Sequence, residues 1–170
     1  MKNVKTDTGR ILLVGIGNCG RGDDGLGWKF AEMIKDAVNN LIDIEFRYQL
    51  QIEDAVLISL YDTVIFVDAS HAELQGGFEI KPCIAAGHYF YSSHMQSPET
   101  ILYLANVLYN KYPETYIIGI AGYVWELKTT LSKEAERNLT SAYNYYVSDF
   151  FSVPCIESRQ IQSLENDYDQ

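Results

Sequence analysis

The hydrophobic residues of this chain fall into short runs with two different spacings. The run Arg10 to Gly17, RILLVGIG, is continuous and ends in glycines, which predicts a strand buried on both faces. From Leu26 to Val38 apolar residues recur every three or four positions, which predicts an amphipathic helix. Further predicted elements follow in chain order: a strand at Ile42–Leu50, a helix at Glu53–Tyr61, a strand at Thr63–Ala69, an edge strand at Gly76–Pro82, a helix from Pro98 to about Asn110 with Ser97 as its cap, a strand at Thr115–Gly122 and a helix at Ser132–Phe151.

Strands that alternate with helices predict an α/β fold in three layers (α/β/α). We expect a mostly parallel twisted sheet of about five strands, with helices on both faces. The length of 170 residues suits one domain, which we assign to residues 1–155, followed by a flexible acidic tail at 156–170. In such folds ligands bind at the carboxyl ends of the strands, near the point where the strand order reverses.

Composition excludes several classes of function. The formal net charge of −10 would repel nucleic acid, and no apolar run is long enough to cross a membrane. The polar start, MKNVKTDTGR, lacks the apolar segment of a secretory signal, so we expect a cytoplasmic protein, with a monomer favoured. Cys19, Cys83 and Cys155 form no metal-binding pair in the sequence, and we expect reduced thiols.

The glycine-rich loop after the first strand permits two interpretations. Its sequence, VGIGNCGRGDDGLG, contains the G-x-G-x-x-G pattern of dinucleotide-binding proteins at Gly15, Gly17 and Gly20. Two aspartates then lie where a pyrophosphate would need positive charge, and the second strand ends in FRYQLQ without the expected acid. Arg47 could still meet a 2′-phosphate, so dinucleotide binding remains the alternative.

Three potential metal ligands follow separate elements of the predicted sheet. Asp24 lies after the first strand, Asp68 ends the third, and His94 precedes the helix that begins at Pro98. Two carboxylates and one imidazole can bind a divalent metal and leave a position for water or substrate. The sequence therefore predicts a metal site formed by Asp24, Asp68 and His94 at the carboxyl edge.

Each of these residues also has a structural interpretation. Asp23 or Asp24 could cap the helix that starts near Leu26, Asp68 could bind loop amides, and His94 could lie on the surface. The competing imidazoles are His71, as a neighbour of the site, and His88, as a structural residue. No convincing serine, threonine or cysteine nucleophile is apparent.

The motifs LLVGIGNCGRGDDGLG, VIFVDAS and SSHMQSP, in this order, resemble those of the [NiFe] hydrogenase maturation endopeptidases over roughly residues 10–146. The resemblance implies an endopeptidase of α/β fold that removes a short C-terminal extension from the hydrogenase large-subunit precursor after nickel insertion. The family's acids and histidine fall on Asp24, Asp68 and His94, which become the expected catalytic and metal-binding residues. Nickel would be presented by the precursor, and another divalent metal could replace it in vitro.

The stretch YQLQIEDA, at Tyr48–Ala55, departs from the glycine-containing turn of many members. It resembles the H-Q-L version of the branch that serves bidirectional, nicotinamide-coupled hydrogenases, with Tyr48 in the histidine's place. We therefore expect a precursor of that group, with Gln49 and Gln51 lining the groove for its tail. A non-catalytic, metal-binding maturation chaperone would have nearly the same motifs, and is the second alternative.

Overall fold

The structure is a computed structural model that describes residues 9–37, 42–87 and 96–150 of the chain. The strands are β1 (Ile11–Ile16), β2 (Asp43–Arg47), β3 (Thr63–Ser70), β4 (Phe78–Pro82) and β5 (Glu114–Ala121). The helices are α1 (Leu26–Ala37), α2 (Asp54–Ile58), α3 (Pro98–Tyr109) and α4 (Lys133–Tyr145). A 3-10 turn at Gly22–Gly25 precedes α1, another at Gln75–Gly77 precedes β4, and a π-helical turn at Tyr146–Phe150 follows α4.

The five strands form one sheet in the order β2-β1-β3-β5-β4. Four of them are parallel, and β4 pairs antiparallel with β5 at the edge. The chain adds β2 on one side of β1 and then crosses to add β3 on the other side. The predicted α/β fold with a mostly parallel sheet is confirmed, and the strand order reverses between β1 and β3.

Alternating side chains of the central strands form two separate cores. Leu13 on β1 and Ile65 on β3 contact the core beneath α1 and α4, which includes Phe30 and Leu139. Leu12, Val14, Val64 and Phe66 belong to the opposite core, beneath α2 and α3. Because successive side chains of a strand point to opposite faces, these continuous apolar runs require helices on both sides.

Several predicted elements are shorter than expected, among them the helix predicted at Glu53–Tyr61, which spans Asp54–Ile58. The second strand ends at Arg47 rather than Leu50. Its pairing with β1 ends there, and the Arg47 carbonyl accepts hydrogen bonds from Gly17 N and Trp28 Nε1. The last helix is α-helical only to Tyr145 and continues as the π-helical turn.

Several earlier predictions fall on residues outside the described ranges. His88, His94, Cys155 and the predicted tail at 156–170 are among them, and the domain boundary at residue 155 remains a prediction. Cys19 and Cys83 are free thiols. Of the helices within the described ranges, none is sufficiently long and apolar to span a bilayer.

Candidate functional site

A cleft with a volume of about 630 Å³ lies at the carboxyl edge of the sheet, where the strand order reverses. Its residues come from the ends of β1 and β3, from the loops after β1, β2, β3 and β5, and from the start of α3 and the residues just before it. They are Ile16, Gly17, Asn18, Arg21, Asp24, Tyr48, Gln49, Leu50, Asp68, Ala69, His71, Gln96, Ser97, Pro98 and Trp125. Both predicted acids, Asp24 and Asp68, therefore line the same cleft.

Two glycines determine where the Asp24 turn lies. Gly17 has φ of +130°, and a β-carbon there would lie 1.9 Å from the Asp24 carbonyl oxygen, so only glycine permits this close return of the loop. A β-carbon at Gly27 would lie 2.2 Å from Ile16 O and 2.4 Å from Val67 O. The start of α1 therefore packs directly on the ends of β1 and β3, and holds Asp24 above them.

Asp23 has a structural role that differs from the predicted helix cap. Its side chain is fully buried and accepts hydrogen bonds from Tyr123 N, Val124 N, Ser132 N and Ser132 Oγ, at 2.7–2.9 Å. Burial alone would raise the pKa of Asp23, but these hydrogen bonds outweigh it and lower the pKa below its ordinary value. Asp23 thereby connects the turn before α1 to the segment between β5 and α4.

Asp24 is half-buried, and its carboxylate makes no hydrogen bond or ion pair with the described residues. Its backbone closes the loop, because Asn18 N donates to Asp24 O at 3.0 Å and Asp24 N donates to Arg21 O at 3.3 Å. Neither aspartate caps the turn, which has no side-chain cap at its start. The capping interpretation is therefore wrong for both, and the Asp24 carboxylate is available to a ligand.

Asp68 lies at the point where β3 continues beyond β1. The ladder between these strands ends at the pair Gly15 and Val67, so Asp68 is the next residue along β3. Its Oδ1 accepts a hydrogen bond from Ala69 N at 2.8 Å. Burial raises the pKa of Asp68 to about 7, the Ala69 hydrogen bond opposes the rise, and the negative charge of Asp24 adds to it. This is the behaviour expected of a carboxyl group that shares a cleft with another acid.

An aromatic pair forms another part of the cleft wall. The rings of His71 and Trp125 are stacked, with centroids 3.7 Å apart and an angle of 24° between their planes. His71 is thus a neighbour of the site, as expected. Gln49 lines the cleft as predicted, whereas Gln51 is not among the lining residues and its N–H donates to Asp54 Oδ2.

Two of the three predicted metal ligands, Asp24 and Asp68, are among the described residues and line the cleft. His94 lies outside the described residues, and the described ranges contain no group of three metal-ligating side chains. Two carboxylates at one cleft, one of them with a raised pKa, suit a cation, because positive charge would relieve both burial and mutual repulsion. The metal site of Asp24, Asp68 and His94 stays a prediction.

Most backbone amides of the glycine-rich loop are not free to bind a pyrophosphate. Helix α1 begins at Leu26, after the 3-10 turn, and not at Gly20. The backbone N–H groups that already donate within the protein are those of Gly17, Asn18, Gly20, Arg21, Gly22, Asp23 and Asp24. The Arg47 guanidinium is likewise occupied, by Glu45 at 2.8 Å and Asp54 at 2.9 Å. These contacts argue against the dinucleotide alternative.

Sequence reasoning did not single out Asn18, Arg21 and Trp125, which also line the cleft. The first two belong to the glycine-rich loop after β1, whose recognisable motifs consist of its glycines and aspartates. Trp125 lies in the segment after β5, and the rule that places ligands at the carboxyl ends of parallel strands could have identified it.

Searches against protein-family models and against curated proteins found no match. Solved structures do match. The chain is similar to the hydrogenase maturating endopeptidase HybD of E. coli, with a TM-score of 0.68, 17% identity, and coverage of 85% of this chain and 94% of that chain. It is also similar to the [NiFe] hydrogenase maturation protease HycI of Thermococcus kodakarensis, with a TM-score of 0.60, 26% identity, and coverage of 78% and 87%.

A third match is the hydrogenase 2 maturation peptidase of Thaumarchaeota archaeon SCGC_AB-539-E09, with a TM-score of 0.60, 19% identity, and coverage of 83% of this chain and 97% of that chain. All three neighbours are described as hydrogenase maturation peptidases. Each match covers most of this chain and most of the matched chain. The chain thus has the fold of the [NiFe] hydrogenase maturation endopeptidases, and the resemblance to this family indicated by its motifs is confirmed.

Proposed function

We propose that this protein is an endopeptidase that removes the C-terminal extension of a [NiFe] hydrogenase large-subunit precursor. The main support is the convergence of Asp24 and Asp68 on one cleft, at the strand reversal of a fold shared with hydrogenase maturation proteases. By the resemblance of the motif SSHMQSP to the family, His94 would be the third residue of this site. The precursor's nickel would be captured by Asp24, Asp68 and His94, so that cleavage follows metal loading.

Bound at these residues, nickel would serve as a recognition element and as a Lewis acid for the scissile amide. The chain itself supplies the acid–base chemistry. One of the two carboxylates accepts a proton from the attacking water, and the proton then passes to the leaving amine. Ser97 is the serine that lines the cleft, but its Oγ accepts from Thr100 N as the cap of α3. This arrangement favours attack by water over a covalent intermediate.

The loop after β2 supports a narrower proposal about the substrate. Tyr48 is 67% exposed and its ring packs against Trp28, while Gln49 lines the cleft. These residues belong to the stretch that resembles the branch for bidirectional, nicotinamide-coupled hydrogenases. We infer that the precursor comes from this group and that its tail passes Tyr48 and Gln49.

The test is incubation of the purified protein with a nickel-loaded large-subunit precursor, followed by mass spectrometry of the products. We expect the wild type to release a C-terminal peptide. Asp68→Ala and His94→Ala should each reduce the rate by about 1,000-fold or more, which corresponds to about 4 kcal/mol of transition-state stabilisation. Thermal unfolding of each variant would establish that it remains folded.

Asp36→Ala and His88→Ala serve as matched controls. Asp36 is exposed on α1 and is not a lining residue of the cleft, and His88 is the imidazole to which the sequence assigns a structural role. Both controls should cleave at the wild-type rate. Normal processing by Asp68→Ala or His94→Ala would refute the site assignment. A wild type that binds the nickel-loaded precursor but leaves it intact would favour a non-catalytic chaperone.

A further inference from the structure

Amide hydrolysis in this cleft requires stabilisation of negative charge, which the two carboxylates cannot provide. When water attacks the scissile carbonyl, negative charge develops on the carbonyl oxygen. Asp24 and Asp68 line the same cleft, and their negative charges would oppose that development. A fixed hydrogen-bond donor close to the carbonyl oxygen would lower the barrier, because such donors need no reorganisation during the reaction.

The backbone of the glycine-rich loop supplies few such donors. The backbone N–H groups of Gly17 and of every residue in the range 20–24 already donate to protein oxygens, as described above. The donor is therefore more readily found on a side chain of this loop. Asn18 and Arg21 are the loop residues that both line the cleft and carry side-chain N–H groups.

Three of the four polar groups of Asn18 form hydrogen bonds within the loop, and these bonds hold the residue in place. Its N–H donates to Asp24 O at 3.0 Å, its carbonyl accepts from Arg21 N at 3.0 Å, and its Oδ1 accepts from Gly20 N at 2.8 Å. Only the oxygen of a side-chain amide can accept from a backbone N–H, so the last bond also fixes which end of the amide is the donor. Nδ2 is left without a hydrogen-bond partner among the described residues.

Arg21 is the competing donor, and it differs in rigidity. Its side chain is exposed and forms no ion pair with the described part of the chain, whereas Arg10, Arg47 and Arg137 all do. A long, exposed arginine can reach many positions, but ordering it costs conformational entropy. The Asn18 amide is already ordered, which is the property required of a donor to the developing charge.

We propose that Asn18 Nδ2 donates a hydrogen bond to the scissile carbonyl oxygen of the substrate and stabilises its negative charge in the transition state. The inference rests on the proposed peptidase function. Water forms a bond to the carbonyl carbon and gives a proton to a carboxylate, and the carbonyl π electrons move to the oxygen facing Asn18. That electron pair then returns, the C–N bond breaks, and the amine leaves with the proton.

The test compares the steady-state cleavage of the nickel-loaded precursor by wild type, Asn18→Asp and Asn18→Ala. Asn18→Asp keeps an oxygen to accept from Gly20 N and removes the donor, so the loop should stay folded. Asn18→Ala removes the donor without adding charge. Both should lower kcat by about 100-fold or more, with KM within about threefold of wild type, because the bond forms mainly in the transition state.

Two further variants separate this effect from others. Asn106→Asp makes the same charge change at an exposed position on α3, and should leave kcat and KM unchanged. Arg21→Ala tests the competing donor, and should lower kcat less than either Asn18 variant. Thermal unfolding of Asn18→Asp should match the wild type, which separates loss of the donor from loss of the fold.

A wild-type kcat in Asn18→Ala would overturn the proposal and assign any loss in Asn18→Asp to the added charge. A rise in KM with unchanged kcat would overturn it as well, because that pattern belongs to ground-state binding. A larger loss of kcat in Arg21→Ala than in both Asn18 variants would move the role to Arg21. Failure of the wild type to cleave any nickel-loaded precursor would refute the peptidase function itself, and this inference with it.

Discussion

Asp23 and Asp24 are adjacent in the chain and share one 3-10 turn, yet their surroundings differ completely. The Asp23 side chain is fully buried and receives hydrogen bonds from Tyr123, Val124 and Ser132. The Asp24 carboxylate lines the cleft, and no described side chain or amide bonds to it. The two adjacent aspartates thus have different roles. Asp23 stabilises the turn, and Asp24 remains free for a ligand.

A similar contrast holds between Asp23 and Asp68, whose pKa values move in opposite directions. Hydrogen bonds lower the pKa of Asp23 against the effect of its burial, whereas burial and the charge of Asp24 raise the pKa of Asp68 to about 7. An acid with abundant donors stabilises the fold as an anion. An acid with one donor, Ala69 N, is harder to ionise, and a nearby cation would favour its charged form.

The largest effect on stability is expected from Asp23→Asn. The amide cannot accept from all the donors that face Asp23, so buried N–H groups lose their partners. We expect the free energy of unfolding to fall by about 3 kcal/mol at pH 7, as measured by urea denaturation. The matched variant Asp24→Asn should change it by less than about 1 kcal/mol. Equal losses in the two variants would contradict the division of roles.

A smaller effect of opposite sign is expected from Asp68→Asn in the metal-free protein. The folded pKa of about 7 lies above the ordinary value of 3.8, so the native state binds more protons between these values. Stability should therefore fall as pH rises through this window, and the full cost should be present above about pH 7. We expect Asp68→Asn to be more stable than wild type at pH 8, because it removes this cost. The difference should be roughly 1–3 kcal/mol, less than the full pKa shift would give, because partial exposure screens the charge.

At pH 3, below the ordinary pKa of 3.8, the two proteins should have nearly equal stability, since Asp68 is then largely protonated in both folded and unfolded states. Urea denaturation at both pH values measures the difference. A constant difference across this range would show that Asp68 does not titrate as its surroundings imply. Asp36→Asn, at an exposed position on α1, is the control for loss of one negative charge.

The smallest effect is expected from added ligands. At a concentration ten times the dissociation constant, Ni²⁺ or Cd²⁺ should stabilise the wild type by about 1.4 kcal/mol in thermal unfolding experiments. At one fixed metal concentration the effect should be larger at pH 8 than at pH 6, because the cation must displace a proton from Asp68. Asp68→Asn should abolish it, and NADH and NADPH should produce no shift. A shift with a dinucleotide alone would revive the alternative function.

The sequence predicted the sheet and the location of the site because both follow from simple regularities. Apolar runs such as Leu12 to Ile16 identify strands buried on both faces, and the parallel arrangement brings their carboxyl ends together. Asp24 and Asp68 could therefore be assigned to one edge of the sheet. The edge position of β4 was also predicted, from its alternation and its proline.

The division between Asp23 and Asp24 could not be derived from sequence spacing alone. It depends on the segment between β5 and α4, about 100 residues away in the chain, which supplies the donors to Asp23. The role of Arg47 was missed for a similar reason. Its guanidinium binds Glu45 and Asp54, and a single residue in a sequence does not reveal such partners.

The most direct test of the central claim is the cleavage rate of a nickel-loaded precursor by Asp24→Asn beside Asp23→Asn, at a temperature where both are folded. The account predicts that Asp24→Asn is stable and loses about 1,000-fold or more in rate, whereas Asp23→Asn is less stable but still cleaves. Cleavage at the wild-type rate by Asp24→Asn would contradict the account, because Asp24 would then have no part in the chemistry.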